Sequence, residues 1–158
     1  MMTVIYILTT LAAAFAMEGV AWLAHKYLMH GALWNLHADH HKKTSPSFFE
    51  KNDYFFLIFA LPGITMMAVG TFIEPLRILL FAGIGITIYG FTYFFVHDIF
   101  IHQRFKIFRH TDNFYLRAIR RAHKMHHKHI GKEEGECFGM LWVPMKYFRE
   151  ELKRKEAR

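Results

Sequence analysis

The chain has 158 residues, 53% hydrophobic and 17% aromatic, and its 20 Lys or Arg outweigh 13 Asp or Glu for a net charge of +7. That length allows one domain, residues 1–158, and the apolar excess is high for a soluble fold of this size. The single cysteine, Cys137, excludes an internal disulfide and reads as a small packed residue at a reducing face; no nucleic acid is expected as a partner.

Charge is missing over three long runs. Residues 1–25 carry only Glu18, while 54–73 and 78–96 carry none. Each run is long enough, as a helix, for a hydrocarbon core of roughly 30 Å. The expected fold is therefore an all-α integral membrane bundle with transmembrane helices at about 3–24, 54–73 and 77–97. Splitting a helix near Pro62 or Gly83 would give four spans, and a soluble bundle would need polar faces that these runs lack.

The first run carries a signal-like Ala12-Ala13-Ala14, but no Lys or Arg precedes it, so it is expected to be retained. Glu18 lies seven residues before His25, about two turns, and so shares its face. An acid inside a span must be paired or wetted, which makes Glu18 a candidate for lining a metal cavity or accepting from its imidazoles; a protonated helix-to-helix hydrogen bond is the alternative.

Polar residues then dominate up to Asp53. Here lie His25 with His30, then His37-Ala-Asp-His40-His41. Ser45-Pro46-Ser47 is expected to end the helix carrying the second group. Pro62-Gly63 suggests a kink in the second span, and Glu74-Pro75 a tight turn into the third. Gly83, Gly85 and Gly90 would admit a close neighbouring helix or simply face lipid. The aromatics from Tyr89 to Phe100 would line a slot for a long apolar ligand or pack internally.

Past the third span the histidine pattern returns. His97 with His102 precedes His123-Lys-Met-His126-His127, so H-x4-H followed by H-x2-H-H occurs twice. Ten of the 12 histidines fall into these four groups, an order that a surplus of exposed polar residues would not produce. On a helix, offsets of three and four keep imidazoles on one side, a facial set of metal ligands. H-x4-H instead separates its members by about 140° on a regular α-helix, so each pair needs a widened π turn, or a helix end between its members, to face one metal. Trp142-Val143-Pro144 then looks like a return to the membrane interface, and 146–158 like a charged, mainly helical tail.

Four Lys lie between the first two spans, Arg77 lies in the second turn, and fifteen Lys or Arg follow Val96. The positive-inside rule puts both basic regions, and with them both histidine sets, on the cytoplasmic side. A transporter would instead set polar residues along a path through the spans.

Ten imidazoles suit two borderline metal ions with positions left for water or oxygen, whereas structural zinc needs only a closed set of four ligands. Two redox-active irons beside a membrane imply oxygen chemistry on a lipid. Asp39 and Asp98, adjacent to the ligand groups, are candidate acceptors for imidazole N–H groups or exposed caps.

These residues resemble a family. HKYLMH at 25–30, HADHH at 37–41, HDIFIHQR at 97–104 and AHKMHH at 122–127, with GKE at 131–133 and CFGML from Cys137, are similar to bacterial β-carotene hydroxylases, membrane non-haem di-iron enzymes of the fatty acid hydroxylase superfamily. The likeness covers almost the whole chain, and related sterol and fatty acid hydroxylases usually carry a shorter H-x3-H first group. It implies His25, His30, His37, His40, His41, His97, His102, His123, His126 and His127 as ligands of two non-haem irons, with O2 as co-substrate. His110 and His129 match no motif and are expected to be bystanders. It further implies hydroxylation at ring carbon 3 of β-carotene, giving β-cryptoxanthin and then zeaxanthin, in a bacterial inner membrane with the histidines cytoplasmic. Nothing in the chain is similar to a flavin, haem or dinucleotide motif, so electrons would come from a ferredoxin-like donor; Arg104, Lys106, Arg109, Arg117, Arg120, Arg121, Lys124 and Lys128 would dock it, or else bind anionic lipid headgroups or simply set topology. A sterol or fatty acid hydroxylase or desaturase is the neighbouring alternative, and a metal transporter the remote one.

Overall fold

The computed structural model describes residues 1–42 and 47–156. Helix α1 (Met2–Leu23) runs directly into a π-helical segment, Ala24–Ala32, which kinks at Gly31 with φ −118° and ψ −114°. Helix α2 (Trp34–His41) follows at once, and Lys42 leaves it in extended geometry. The role expected of Ser45 and Pro46 in ending this helix falls outside the described residues. A single 3₁₀ turn, Lys51–Asp53, leads into α3 (Tyr54–Phe72), and another, Glu74–Leu76, turns the chain into α4 (Arg77–Tyr93). Helix α4 again continues as a π-helical segment, Phe94–Ile101.

Three helical stretches, Met2–Ala32, Lys51–Phe72 and Glu74–Ile101, are long and apolar enough to cross a membrane. The four-span alternative is not what forms: α3 runs unbroken through Pro62, and α4 through Gly83. None of the residues of α1 is buried, and Phe15 and Phe72 are 78% and 86% exposed. Such outward apolar surface belongs in lipid rather than water.

Helix α4 packs against both α1 and α3, and glycine makes that possible. A Cβ on Gly83 would sit 2.6 Å from the carbonyl of Gly63, and one on Gly85 would collide with the carbonyl of Thr10. Nothing lies within 4 Å of a Cβ at Gly90, which keeps the lipid-facing alternative for that residue. The Thr10 hydroxyl donates to the Phe81 carbonyl across the α1/α4 seam at 3.1 Å, and Tyr6 stacks on Phe81.

The closed core lies at one end of this bundle. Helix α5 (Phe114–His126), capped by Asn113 accepting from the backbone of Tyr115 and Leu116, buries Ala118, Ile119, Ala122, His123 and His126 as one stripe. That stripe meets Val96, Phe100 and Ile101 at the foot of α4. Helix α6 (Met145–Glu156) is tied to α5 by Arg117 to Glu151 at 2.6 Å and Arg121 to Glu150 at 2.9 Å. It accounts for the expected charged tail up to Glu156.

Candidate metal centre

Both H-x4-H pairs lie in the π-helical segments. In the second, His102 N–H donates to the His97 carbonyl five residues back at 2.9 Å, and Leu33 N–H to the Leu28 carbonyl at 2.7 Å closes the first. The extra residue per turn brings an offset of five onto one face, as the spacing required. The wide turn lets His25 and His30 enter one group, and His97 and His102 another.

One ring nitrogen from each of His25, His30, His37, His41 and His126 lies within 4.8 Å of all the others, and the same holds for His40, His97, His102 and His123. The two H-x2-H-H motifs are thus not each the ligand face of a single site. In the first, His37 and His41 join the preceding pair while His40 crosses over; in the second, His126 crosses in the opposite sense. Offsets of zero and four lie on one side of the helix and the offset of three is rotated away from them, which is why the middle histidine changes site. His127 keeps its Nε2 2.9 Å from that of His123 while stacking on His41, at the seam between the groups.

The ring orientations are those of ligands. Nδ1–H of His25 donates to the Phe138 carbonyl at 2.9 Å, His30 to Lys132 at 3.2 Å, His41 to His129 at 2.9 Å and His126 to Glu136 at 2.8 Å. His37 donates to Asn52 Oδ1 at 2.7 Å and His40 to Glu50 at 2.9 Å. These acceptors assign the proton to Nδ1 and leave the Nε2 lone pair facing inward. Inward Nε2 atoms then oppose one another: His25 to His37 at 3.1 Å, His30 to His41 at 3.1 Å, His37 to His41 at 3.2 Å, His102 to His123 at 2.9 Å. Two lone pairs cannot bond each other, but they can share a cation. An ion bonded to imidazoles at about 2.0–2.1 Å spaces its adjacent nitrogens by roughly 2.9–3.3 Å, according to the angle between bonds. The buried Nε2 of His40 has no protein partner among the described residues, as a ligand atom should not. The donor set fits two ions.

Burial keeps these imidazoles neutral, with mutual repulsion adding to it: His37 and His126 are pushed down to about 3, His41 to about 4 and His127 to about 2. Burial does the same to His40, His102 and His123, again reinforced by the neighbouring rings. Neutral imidazole is the form that binds metal. Trp34 packs against His30, His37 and His41, Phe138 against His25, His30 and His126, and Tyr93 stacks on His97 at 4.7 Å. This aromatic wall limits water.

Asp98 reaches His97 Nδ1 at 3.3 Å, as an acceptor should. Asp39 does not meet an imidazole in the described contacts; its Oδ2 accepts from Lys51 N–H at 2.6 Å and secures the turn before α3. Glu18 meets none either. Its Oε1 accepts from the backbone N–H groups of Met140, Leu141 and Trp142 at 2.8–3.0 Å, and its Oε2 from the Tyr89 hydroxyl at 2.8 Å. The acid inside the span is paired by a returning loop, and that loop supplies the carbonyls behind His25 and His126. Between them Cys137, buried, takes a left-handed φ of 61° that turns the two carbonyls towards their imidazoles. His110 is exposed, and His129 contributes only its backbone carbonyl, to His41.

Glu50 and Asn52, which hold His40 and His37, carry no sequence signal of their own. The available clue is their place just ahead of the apolar run from Tyr54, at the same end as the histidines. Arg104 joins this layer, meeting Asp53 at 2.7 Å, Asp98 at 3.0 Å and Glu50 at 3.3 Å.

An all-helical chain whose apolar helices end in a two-centre histidine site is a membrane-type metalloprotein. The fatty acid hydroxylase family model matches residues 10–147, and the chain belongs to that family. It is similar to the beta-carotene hydroxylase of Pseudescherichia vulneris, 38% identical over 137 residues, covering 86% of this chain and 76% of that protein. The beta-carotene hydroxylase of Pantoea ananas is 39% identical over 138 residues, covering 87% and 77%. The chloroplastic beta-carotene 3-hydroxylase 1 of Arabidopsis thaliana is 39% identical over 137 residues, covering 85% of this chain and 43% of that protein. No solved structure matches significantly.

Proposed function

We propose that this chain hydroxylates β-carotene at ring carbon 3, giving β-cryptoxanthin and then zeaxanthin, with two non-haem irons, O2 and electrons from a ferredoxin-like donor. The observation that carries this reading is the convergence of nine imidazoles on two points at one end of the apolar helices, in a chain 38–39% identical to proteins named beta-carotene hydroxylase. The five-imidazole group would hold one iron and His40, His97, His102 and His123 the other, with His127 beside them. When bound, the irons supply the oxygen activation that an unactivated C–H bond needs. The protein's part is to orient the imidazoles through their Nδ1 acceptors and to keep the site dry with Trp34, Phe138 and Tyr93.

β-Carotene is a hydrocarbon and dissolves in the bilayer core. A site at the ends of the helices meets the terminal ring while the polyene stays in lipid, and Phe94 and Phe95, both outward-facing beside His97, offer it an apolar surface. The aromatic run of α4 thus divides its roles, since Tyr89 and Phe100 are buried in the core. Charge asymmetry supports a bacterial inner membrane with this end in the cytoplasm. Placement of the imidazoles at one end, rather than along the spans, argues against transport.

The test is expression in cells that accumulate β-carotene, followed by pigment chromatography. Zeaxanthin is expected; unchanged β-carotene beside a folded, iron-loaded chain would overturn the reading.

A further inference from the structure

The two imidazole groups mirror each other, but what stands behind them does not. All five rings of the larger group donate Nδ1–H to neutral oxygens, four of them backbone carbonyls and one the Asn52 amide. In the smaller group His40 donates to the Glu50 carboxylate at 2.9 Å and His97 to the Asp98 carboxylate at 3.3 Å. Glu50 and Asp98 belong to one layer with Asp53, and Arg104 is the guanidinium they share. Gln103, at a left-handed φ of 54° directly after His102, aims Arg104 into that layer. Three carboxylates around one guanidinium leave the layer net negative.

A carboxylate behind an imidazole raises the ring's basicity more than a neutral carbonyl does, because the ring N–H is drawn towards a full charge. More basic donors, with anionic charge close behind them, favour the higher charge state of a bound ion. We propose that Glu50 and Asp98 make the two centres electronically unequal, so that the iron held by His40, His97, His102 and His123 is the easier one to oxidise. In this role the two acids are positioning residues acting through His40 and His97. The inference rests on the two-iron reading above. Stated as a reaction, one ferricyanide takes one electron from the di-ferrous protein and becomes ferrocyanide, and the single ferric ion resides in the smaller group.

The test is a potentiometric titration of detergent-purified, iron-57-loaded protein with ferricyanide, followed by electron paramagnetic resonance and Mössbauer spectroscopy. The wild-type chain should oxidise in two separate one-electron steps through a valence-localised state. Glu50→Gln and Asp98→Asn should each weaken the preference for ferric over ferrous ion about tenfold, which raises the first midpoint by about 59 mV. Asn52→Asp, which puts a carboxylate behind His37 in the larger group, should lower the second midpoint and narrow the gap. First midpoints unchanged in Glu50→Gln and Asp98→Asn at two irons per chain would overturn the inference. If those variants lose iron, Asn52→Asp decides, and an unchanged gap there overturns it. A wild-type chain that binds fewer than two irons would overturn the two-iron reading itself, an outcome read from the iron assay alone.

Discussion

Replacing Glu18 by alanine removes the one acceptor that three consecutive backbone N–H groups and the Tyr89 hydroxyl share, all at 2.8–3.0 Å. Hydrogen bonds to a charged acceptor are worth roughly 1.5–3 kcal/mol each, and with exposed Trp142 able to find water three are lost, so the cost should be about 4–9 kcal/mol. Glu18→Gln keeps an oxygen for the three N–H donors and lets the tyrosine hydroxyl turn, so its loss should be about 1 kcal/mol. Tyr89→Phe deletes a single donor and should lose about 1.5–3 kcal/mol. Equilibrium unfolding in mixed dodecyl-maltoside and SDS micelles measures all three, with iron per chain read on the same samples. Because the fastened loop carries the carbonyls behind His25 and His126, the alanine variant should also lose iron. An alanine variant within 1 kcal/mol of wild type, or a glutamine variant as damaged as alanine, would refute the loop-anchor argument.

Metal-stripped protein should lose stability as pH falls. Imidazoles held at about 3 to 4 when folded take up protons in the unfolded chain first, near 6.5, so stability rises with pH between those values and drops on acidification through that window. Each contributes up to about 1.4 kcal/mol per pH unit, measurable as a falling midpoint of thermal unfolding; a flat profile from pH 7 to 5 would contradict it. His40→Ala or His126→Ala should abolish hydroxylation and reduce iron, whereas His110→Ala and His129→Ala should keep iron and most activity; zeaxanthin formation and iron analysis on the same membranes separate them. Arg109, Arg117, Arg120, Arg121 and Lys124, joined by Arg154, line an open basic cavity of about 440 Å³. Donor-dependent turnover should therefore fall as salt shortens the Debye length from about 10 Å at 0.1 M to about 3 Å at 1 M, and turnover indifferent to salt would remove the docking argument.

The sequence discloses the parts of this molecule that depend on spacing. Uncharged runs mark the three apolar helices, and an offset of five between His25 and His30, and again between His97 and His102, calls for a π turn or a helix end; π-helical turns form. Spacing does not reveal which partner lies across a gap. The seven-residue offset puts Glu18 on the face of His25, yet its backbone partners lie 122 to 124 residues away at Met140 to Trp142, and Tyr89 lies 71 away. Asp39 and Asp98 stand equally close to histidines in sequence, and among the described contacts only Asp98 meets an imidazole. The helical offsets set His40 and His126 apart from their neighbours, but which group each one joins depends on how α2 and α5 face each other.

Four of the five rings in the larger group are aimed by carbonyls from one stretch of ten residues: His129, Lys132, Glu136 and Phe138. A ribosome delivers that stretch after all ten motif histidines, and the clamp that fastens its far end, Glu18, is made before any of them. An emerging chain therefore carries every ligand before it carries the means to orient them. The carbonyls behind His25 and His126 are fastened only once Trp142 has been added and the loop can close on Glu18. A product that stops short of that tryptophan lacks part of the backbone that Glu18 fastens and should hold metal poorly.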